Sequence, residues 1–226
     1  MNIQSAVVLV TSAGSNLGET LAAHFCSLGA TVVLCDQNKS KLAYAYQRCC
    51  NISEQVSSFH LPNYNQAAIE QLFDFVHTQH HTSPNVLVNN WPVYSMPSLL
   101  DDYSPDVLTQ TMTLMASTLF NFGHATAERM RQDNKKGVIV NVISLEACQD
   151  LSGLDNVVSL VSGFTQSWAK ELTPFNIRVG GVVPSVSPTS GSDPLHWAYI
   201  QDELIRNTEY IVSNDYFSGR IMSAKI

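Results

Sequence analysis

The sequence predicts an α/β protein: one domain over residues 1–226, built on a doubly wound, mostly parallel sheet of seven strands. Three observations carry this. Short β-branched runs alternate with longer stretches of helical period along the whole chain, the pattern of repeated strand–helix–strand units. The runs are continuously apolar rather than alternating, as expected of strands covered by helices on both faces. With 45% hydrophobic and 14% charged residues, the chain has ample apolar surface for one core and lacks the composition of disorder.

In order, the predicted strands occupy residues 6–10, 31–35, 56–60, 86–89, 138–143, 177–183 and 220–223, and the predicted helices 17–27, 39–51, 65–80, 105–132, 156–172 and 195–209. Turn chemistry separates them: Gly29 follows the first helix, Gly137 precedes the fifth strand and Thr173-Pro174 ends the fifth helix. The Ser- and Pro-rich stretch 184–194, PSVSPTSGSDP, leaves the carboxyl end of a strand. Ligands bind beyond such ends in open parallel sheets, so this stretch is the candidate substrate lid.

A net charge of -7 and the absence of any Lys/Arg run exclude a nucleic-acid footprint and an anionic membrane surface as partners. The N-terminal MNIQSAVVLV has no basic region, and no apolar stretch reaches the ~18–20 residues of a membrane span, which predicts a soluble cytoplasmic protein. Cys26, Cys35, Cys49, Cys50 and Cys148 are odd in number and lack C-x-x-C spacing, so they read as reduced thiols. His77, His80 and His81 have no partner carboxylate or cysteine in their pattern and read as helix-end residues; no metal site is predicted.

The stretch VTSAGSNLG between first strand and first helix, LCDQN at the second strand, LVNN at the fourth, VIVNVIS at the fifth, GFTQSWAKELTPFNIRV running into VVP, and YFSGRIMS near the end together resemble the short-chain dehydrogenase/reductase family. Each piece alone is weak; their order at the strand ends is what carries the resemblance. It implies a single Rossmann domain, a homo-dimer or homo-tetramer, NAD or NADP as cofactor, and hydride exchange with a small carbonyl or alcohol.

On the nucleotide side the family turn reads T-G-x-x-x-G-x-G. Thr11 and Gly18 match, Leu17 keeps the apolar position, and Ser12 and Asn16 replace the first two glycines. Asn tolerates left-handed backbone, so Asn16 is expected to hold the turn, and Ser12 to add a side chain beside the phosphate path. Asp36 ends the second strand, where a carboxylate accepts both ribose hydroxyls and repels a 2′-phosphate, which favours NAD(H) if a dinucleotide binds at all; a helix-capping role is the alternative. Asn89 and Pro184 match cofactor-contacting positions. Pro62 stands where an Asp would hold the adenine amino group, and Trp91-Pro92 replaces a small Ala-Gly pair, so that the indole either turns away or fills cofactor volume. A cofactor-free cleft is the alternative to NAD(H).

On the catalytic side the family uses a Tyr whose phenol is made more acidic by a Lys one turn later, with a Ser orienting the substrate and an Asn completing a relay. Ser144 matches the Ser. The register of GFTQSWAKEL puts Leu154 at the Tyr and Val158 at the Lys, and the long fourth helix puts Met115 at the Asn. No Tyr occurs between Tyr103 and Tyr199, so no shift of register restores the motif. The expectation is a non-catalytic homologue acting as oligomer subunit, scaffold or small-molecule sensor. The alternative is an atypical NAD(H)-dependent oxidoreductase with an acid relocated to Tyr94, Tyr103, Glu146 or Asp155.

Overall fold

In a computed structural model of the chain, residues 1–92, 105–144, 153–185 and 194–224 are described. Seven strands, β1 (Val7–Val10), β2 (Thr31–Asp36), β3 (Val56–His60), β4 (Val86–Pro92), β5 (Gly137–Ser144), β6 (Ile177–Pro184) and β7 (Arg220–Ala224), form one sheet in the order β3-β2-β1-β4-β5-β6-β7. Every pairing is parallel, so the sheet is wholly rather than mostly parallel. Six helices alternate with the strands: α1 (Asn16–Ser27), α2 (Lys39–Cys50), α3 (Gln66–His80), α4 (Pro105–Gln132), α5 (Leu154–Leu172) and α6 (Pro194–Ser213).

Strand alternation sorts the core into two layers. Val8, Val10, Val86 and Val88 pack with residues of α1, α2 and α6 on one face, while Leu9, Leu87 and Trp91 pack with residues of α3, α4 and α5 on the other. β5 is buried along its whole length, as expected of a central strand covered on both sides. The chain moves outward from β1 to β3 and then crosses back to β4, so the strand order reverses between β1 and β4. A crevice at the carboxyl ends of strands is expected at that switch point.

Local chemistry sets the helix starts. Ser15, Asn38 and Asn65 accept from the backbone N–H of Gly18, Lys41 and Ala68, capping α1, α2 and α3. α3 therefore begins one residue later than the sequence suggests, because Asn65 is its cap, and α1 one residue earlier, because its cap is Ser15. β4 extends through Trp91 and Pro92, three residues beyond expectation: its pairing with β5 continues to the Pro92–Ser144 register. A Pro is tolerated at such a strand end.

Candidate functional site

The turn from β1 to α1 is tied on three sides. Thr11 donates its N–H to the Val88 carbonyl (3.1 Å) and its hydroxyl to the Asn90 carbonyl (3.1 Å), fixing the turn to β4. Ala13 N–H donates to the Cys35 carbonyl (3.0 Å), fixing it to β2. The Ser12 carbonyl accepts from the Ser15 N–H (3.1 Å), the Ser15 hydroxyl (2.6 Å) and Asn90 Nδ2 (3.3 Å). Gly18 is confined here, since an added Cβ would stand 2.3 Å from the Ser12 carbonyl oxygen and 2.8 Å from Asn90 Nδ2. Its retention follows from that close approach of helix and turn.

One expectation about this turn is corrected. The residue in left-handed backbone is Ser12, with φ 47, whereas Asn16 is the first residue of α1 and is exposed. Ser12 itself is 5% exposed, and its carbonyl is the hub of the turn. The positive φ is held by the three donors on that carbonyl rather than by a residue suited to it. Leu17 is buried beneath the first turn of α1.

Asp36, at the end of β2, is buried with its carboxylate positioned: Oδ2 accepts from Gly14 N–H (2.9 Å) and Oδ1 from Asn38 N–H (2.7 Å). Asp36 is not the cap of α2; Asn38 is. Beneath it, burial first and the Asp36 charge second push the Cys35 thiol up, so that thiol stays neutral.

The Asn89-Asn90 pair divides between the two faces, as period-two alternation requires. Asn89 Nδ2 donates to the Leu119 carbonyl (3.2 Å) and to Asn141 Oδ1 (3.1 Å), and Asn141 Nδ2 donates to Thr165 Oγ1 (3.1 Å), a buried chain joining β4, β5, α4 and α5. Asn90 is the residue at the β1–α1 turn, its Nδ2 reaching the Ser12 carbonyl and Ser15 Oγ (2.9 Å) while its Oδ1 has no partner among the described residues. Sequence reading singled out Asn89 and missed Asn90, although the side-by-side pair on a strand was the available signal.

Among the described residues, the three positions that the resemblance assigns to proton handling carry apolar side chains. Met115 on α4 and Leu154 on α5 are buried and Val158 is half-buried against the α3–α4–α5 layer. Trp91, 4% exposed, belongs to that same layer with Met115, Leu119, Val157 and Val161. The indole thus packs on the face opposite α1, in the same layer as Met115. Ser144 ends β5 at 1% exposure, and its Oγ has no partner among the described residues. Pro184 is buried at the end of β6, and Pro62 is exposed after β3.

Of the relocated acids, Tyr94, Tyr103 and Glu146 lie outside the described residues, as does most of the 184–194 stretch, and Asp155 is exposed on α5. Among the described residues no group of three or more His, Cys, Asp or Glu could hold a metal ion, and no helix is long and apolar enough to cross a membrane.

The fold, with its switch-point turn, buried carboxylate at the end of β2 and serine at the end of β5, defines the class of doubly wound dinucleotide-type domains. Residues 6–196 match the family model for short chain dehydrogenase, and the chain belongs to that family.

Among curated relatives, 3-oxoacyl-(acyl-carrier-protein) reductase of Thermotoga maritima is 27% identical over 198 residues, covering 86% of this chain and 79% of that protein. Sorbitol-6-phosphate 2-dehydrogenase of Klebsiella pneumoniae is 26% identical over 202 residues, covering 84% and 72%. NAD+-bound xylitol dehydrogenase shares the fold with a TM-score of 0.80 at 20% identity, covering 96% of each chain. A short chain dehydrogenase from Mycobacterium smegmatis does so with 0.82 at 21%, covering 100% of this chain and 93% of the other. The family is one of oxidoreductases, and NAD(H) binding is a family trait, with NADH also bound in a 3-ketoacyl-(acyl-carrier-protein) reductase from Brucella melitensis.

Proposed function

We propose that this chain has given up hydride transfer and acts as a non-catalytic member of its family, an oligomer subunit, scaffold or small-molecule sensor. The observation that carries the reading is the apolar side chain at all three positions the resemblance assigns to proton handling, Met115, Leu154 and Val158, the first two buried. A positioned acid is worth ~10²–10⁴-fold in rate, and Leu, Val and Met can neither donate a proton nor stabilise a phenolate. NADH absorbance followed with a panel of ketones, aldehydes and 3-oxoacyl thioesters is expected to fall no faster than the buffer control. Turnover on the order of one per second or faster, usual for enzymes, would overturn the reading in favour of an atypical NAD(H)-dependent oxidoreductase.

A second reading, that a dinucleotide is still bound, is favoured by Asp36. Its carboxylate is held at the end of β2 by two backbone N–H groups, which leaves acceptor capacity for ribose hydroxyls and repels the 2′-phosphate of NADP. The positions that would hold NAD(H) are Thr11, Ser12, Asn16, Leu17, Gly18 and Asp36, with Asn89 behind the strand and Pro184 across the edge.

Assembly as a homo-dimer or homo-tetramer through α4 and α5 is supported by exposed Met112, Leu114 and Phe120 on α4 and by Gly163 on α5, beside which a Cβ would meet only open space. A mid-helix Gly costs about 1 kcal/mol against Ala, a cost that close approach of a second copy would offset. Sedimentation should give twice or four times the chain mass; a monomer at micromolar concentration would sink this part. A cytoplasmic location fits the free thiols Cys26, Cys35, Cys49 and Cys50.

A further inference from the structure

Helices α1 and α2 leave the candidate site side by side and end at the opposite edge of the sheet, since each joins two parallel strands. Near those far ends a pair of thiols lies between them. Cys26, in the last turn of α1, is 3% exposed, and Cys49, in the last turn of α2, is fully buried; both belong to one apolar layer with Leu42 and Ala45. Their thiols hydrogen-bond to each other. The contact is clamped by Glu19, two turns before Cys26 on the same face of α1, which pairs with Arg48, the neighbour of Cys49. Cys35, equally buried on β2, differs, for its sulfur meets the Val10 carbonyl (3.6 Å) rather than a thiol.

The two thiols are unequal. The hydrogen bond from Cys26 first, and the Arg48 charge after it, hold the Cys49 thiol below its ordinary range against the opposing effect of burial. The same hydrogen bond first, and burial second, push the Cys26 thiol up. Cys49 therefore supplies the thiolate while Cys26 keeps its proton, the division of labour between an attacking and a resolving cysteine. Cys50 is exposed, but it is no partner for Cys49 within α2, because adjacent residues of a helix do not face each other.

We infer that Cys26 and Cys49 form a redox-sensitive pair, which a hydroperoxide oxidises to a disulfide that staples α1 to α2. The Cys49 thiolate attacks the peroxide: an S–O bond forms as the O–O bond breaks, leaving a sulfenic acid on Cys49 and, after uptake of one proton, water or an alcohol. The Cys26 sulfur then attacks the Cys49 sulfur; the S–S bond forms, the S–O bond breaks, and the hydroxide leaves as water with the Cys26 proton. The two thiols lose two electrons and the hydroperoxide gains them. The last turn of α2 is the entry route, for a helix end opens at less cost than the core around it. The staple makes one stiff unit of the helices that Ser15 and Asn38 cap at the site end.

Treatment of the full, reduced chain with hydrogen peroxide, followed by alkylation in denaturant and peptide mapping, tests it. The expected result is a linked peptide pair holding Cys26 and Cys49, with a melting temperature about 5–10 °C higher that dithiothreitol returns to its starting value. Cys50→Ser is expected to leave the linked pair and the temperature rise unchanged. Cys26→Ser, checked for native far-UV dichroism, is expected to abolish both; the mapping of the unsubstituted chain decides the matter even where that variant fails to fold. Recovery of Cys26 and Cys49 as alkylated free thiols under conditions that oxidise Cys50 overturns the proposal. Linkage of either to a different cysteine, or a Cys26–Cys49 link that leaves the melting temperature unchanged or lower, overturns it as well.

Discussion

The β1–β2 end and the β4–β5 end of the same sheet edge have reached stability by opposite routes. At the first, the turn, Asp36 and Asn90 hold one another through hydrogen bonds. At the second, Trp91, Met115 and Val157 share one apolar layer and Ser144 is left without a partner among the described residues. A polar arrangement persists where backbone groups must be satisfied whatever binds. Where a polar group would be buried without a partner it costs free energy, and hydrocarbon is the more stable filling.

Substitutions at each end test the contrast between them. Trp91→Ala should lower unfolding free energy by about 3–5 kcal/mol in urea titrations, as for other buried aromatic truncations, with little change in nucleotide affinity. A large loss of affinity would mean the indole serves the nucleotide end after all. Gly18→Ala should cost about 1–3 kcal/mol, because the added methyl meets the Ser12 carbonyl oxygen at 2.3 Å. Unchanged stability there would show that the turn can move, and the rigid account of that end would fail.

Asp36→Ala removes the acceptor for Gly14 and Asn38 N–H and should cost about 1–2 kcal/mol together with nucleotide binding. Ser144→Ala deletes a buried hydroxyl lacking a described partner and should be neutral or stabilising by up to about 1 kcal/mol. Clear destabilisation would place an unrecognised polar partner at the β5 end.

The smallest effect concerns pH and serves as a control remote from both ends. Burial first, and His81 second, hold His80 below the ordinary imidazole range, and its ring lies 2.9 Å from Ser57 Oγ. The folded state therefore favours neutral His80: its contribution is fully present above about pH 6.5 and is lost as the pH falls below that. His80→Gln should flatten this decline in thermal melts, while nucleotide affinity across the same pH range stays the same. Coupled changes would tie β3 to the site in a way its position does not suggest.

The layered fold was readable in the sequence because each strand is a continuous apolar run and each helix carries its own stop. The sequence was weaker where a backbone conformation is imposed by neighbours. Asn16 looked like the residue for left-handed backbone on intrinsic preference, yet Ser12 takes it because the hydroxyl of Ser15 and the amide of Asn90, the latter distant in the chain, converge on its carbonyl. Likewise the side to which Trp91 turns follows from its parity along β4, fixed only once the strand is known to run on through Pro92. The apolar substitutions at residues 115, 154 and 158 were legible at once, since they depend on residue type alone.

The buried chain from Asn89 through Asn141 to Thr165 has one more consequence. It pegs α5 to two central strands by groups that cannot find water without the whole layer opening. Helix α5 should therefore not fray independently. Its middle amides are expected to exchange with solvent deuterium as slowly as those of β4 and β5, while the edge strand β3, half-exposed along most of its length, opens first.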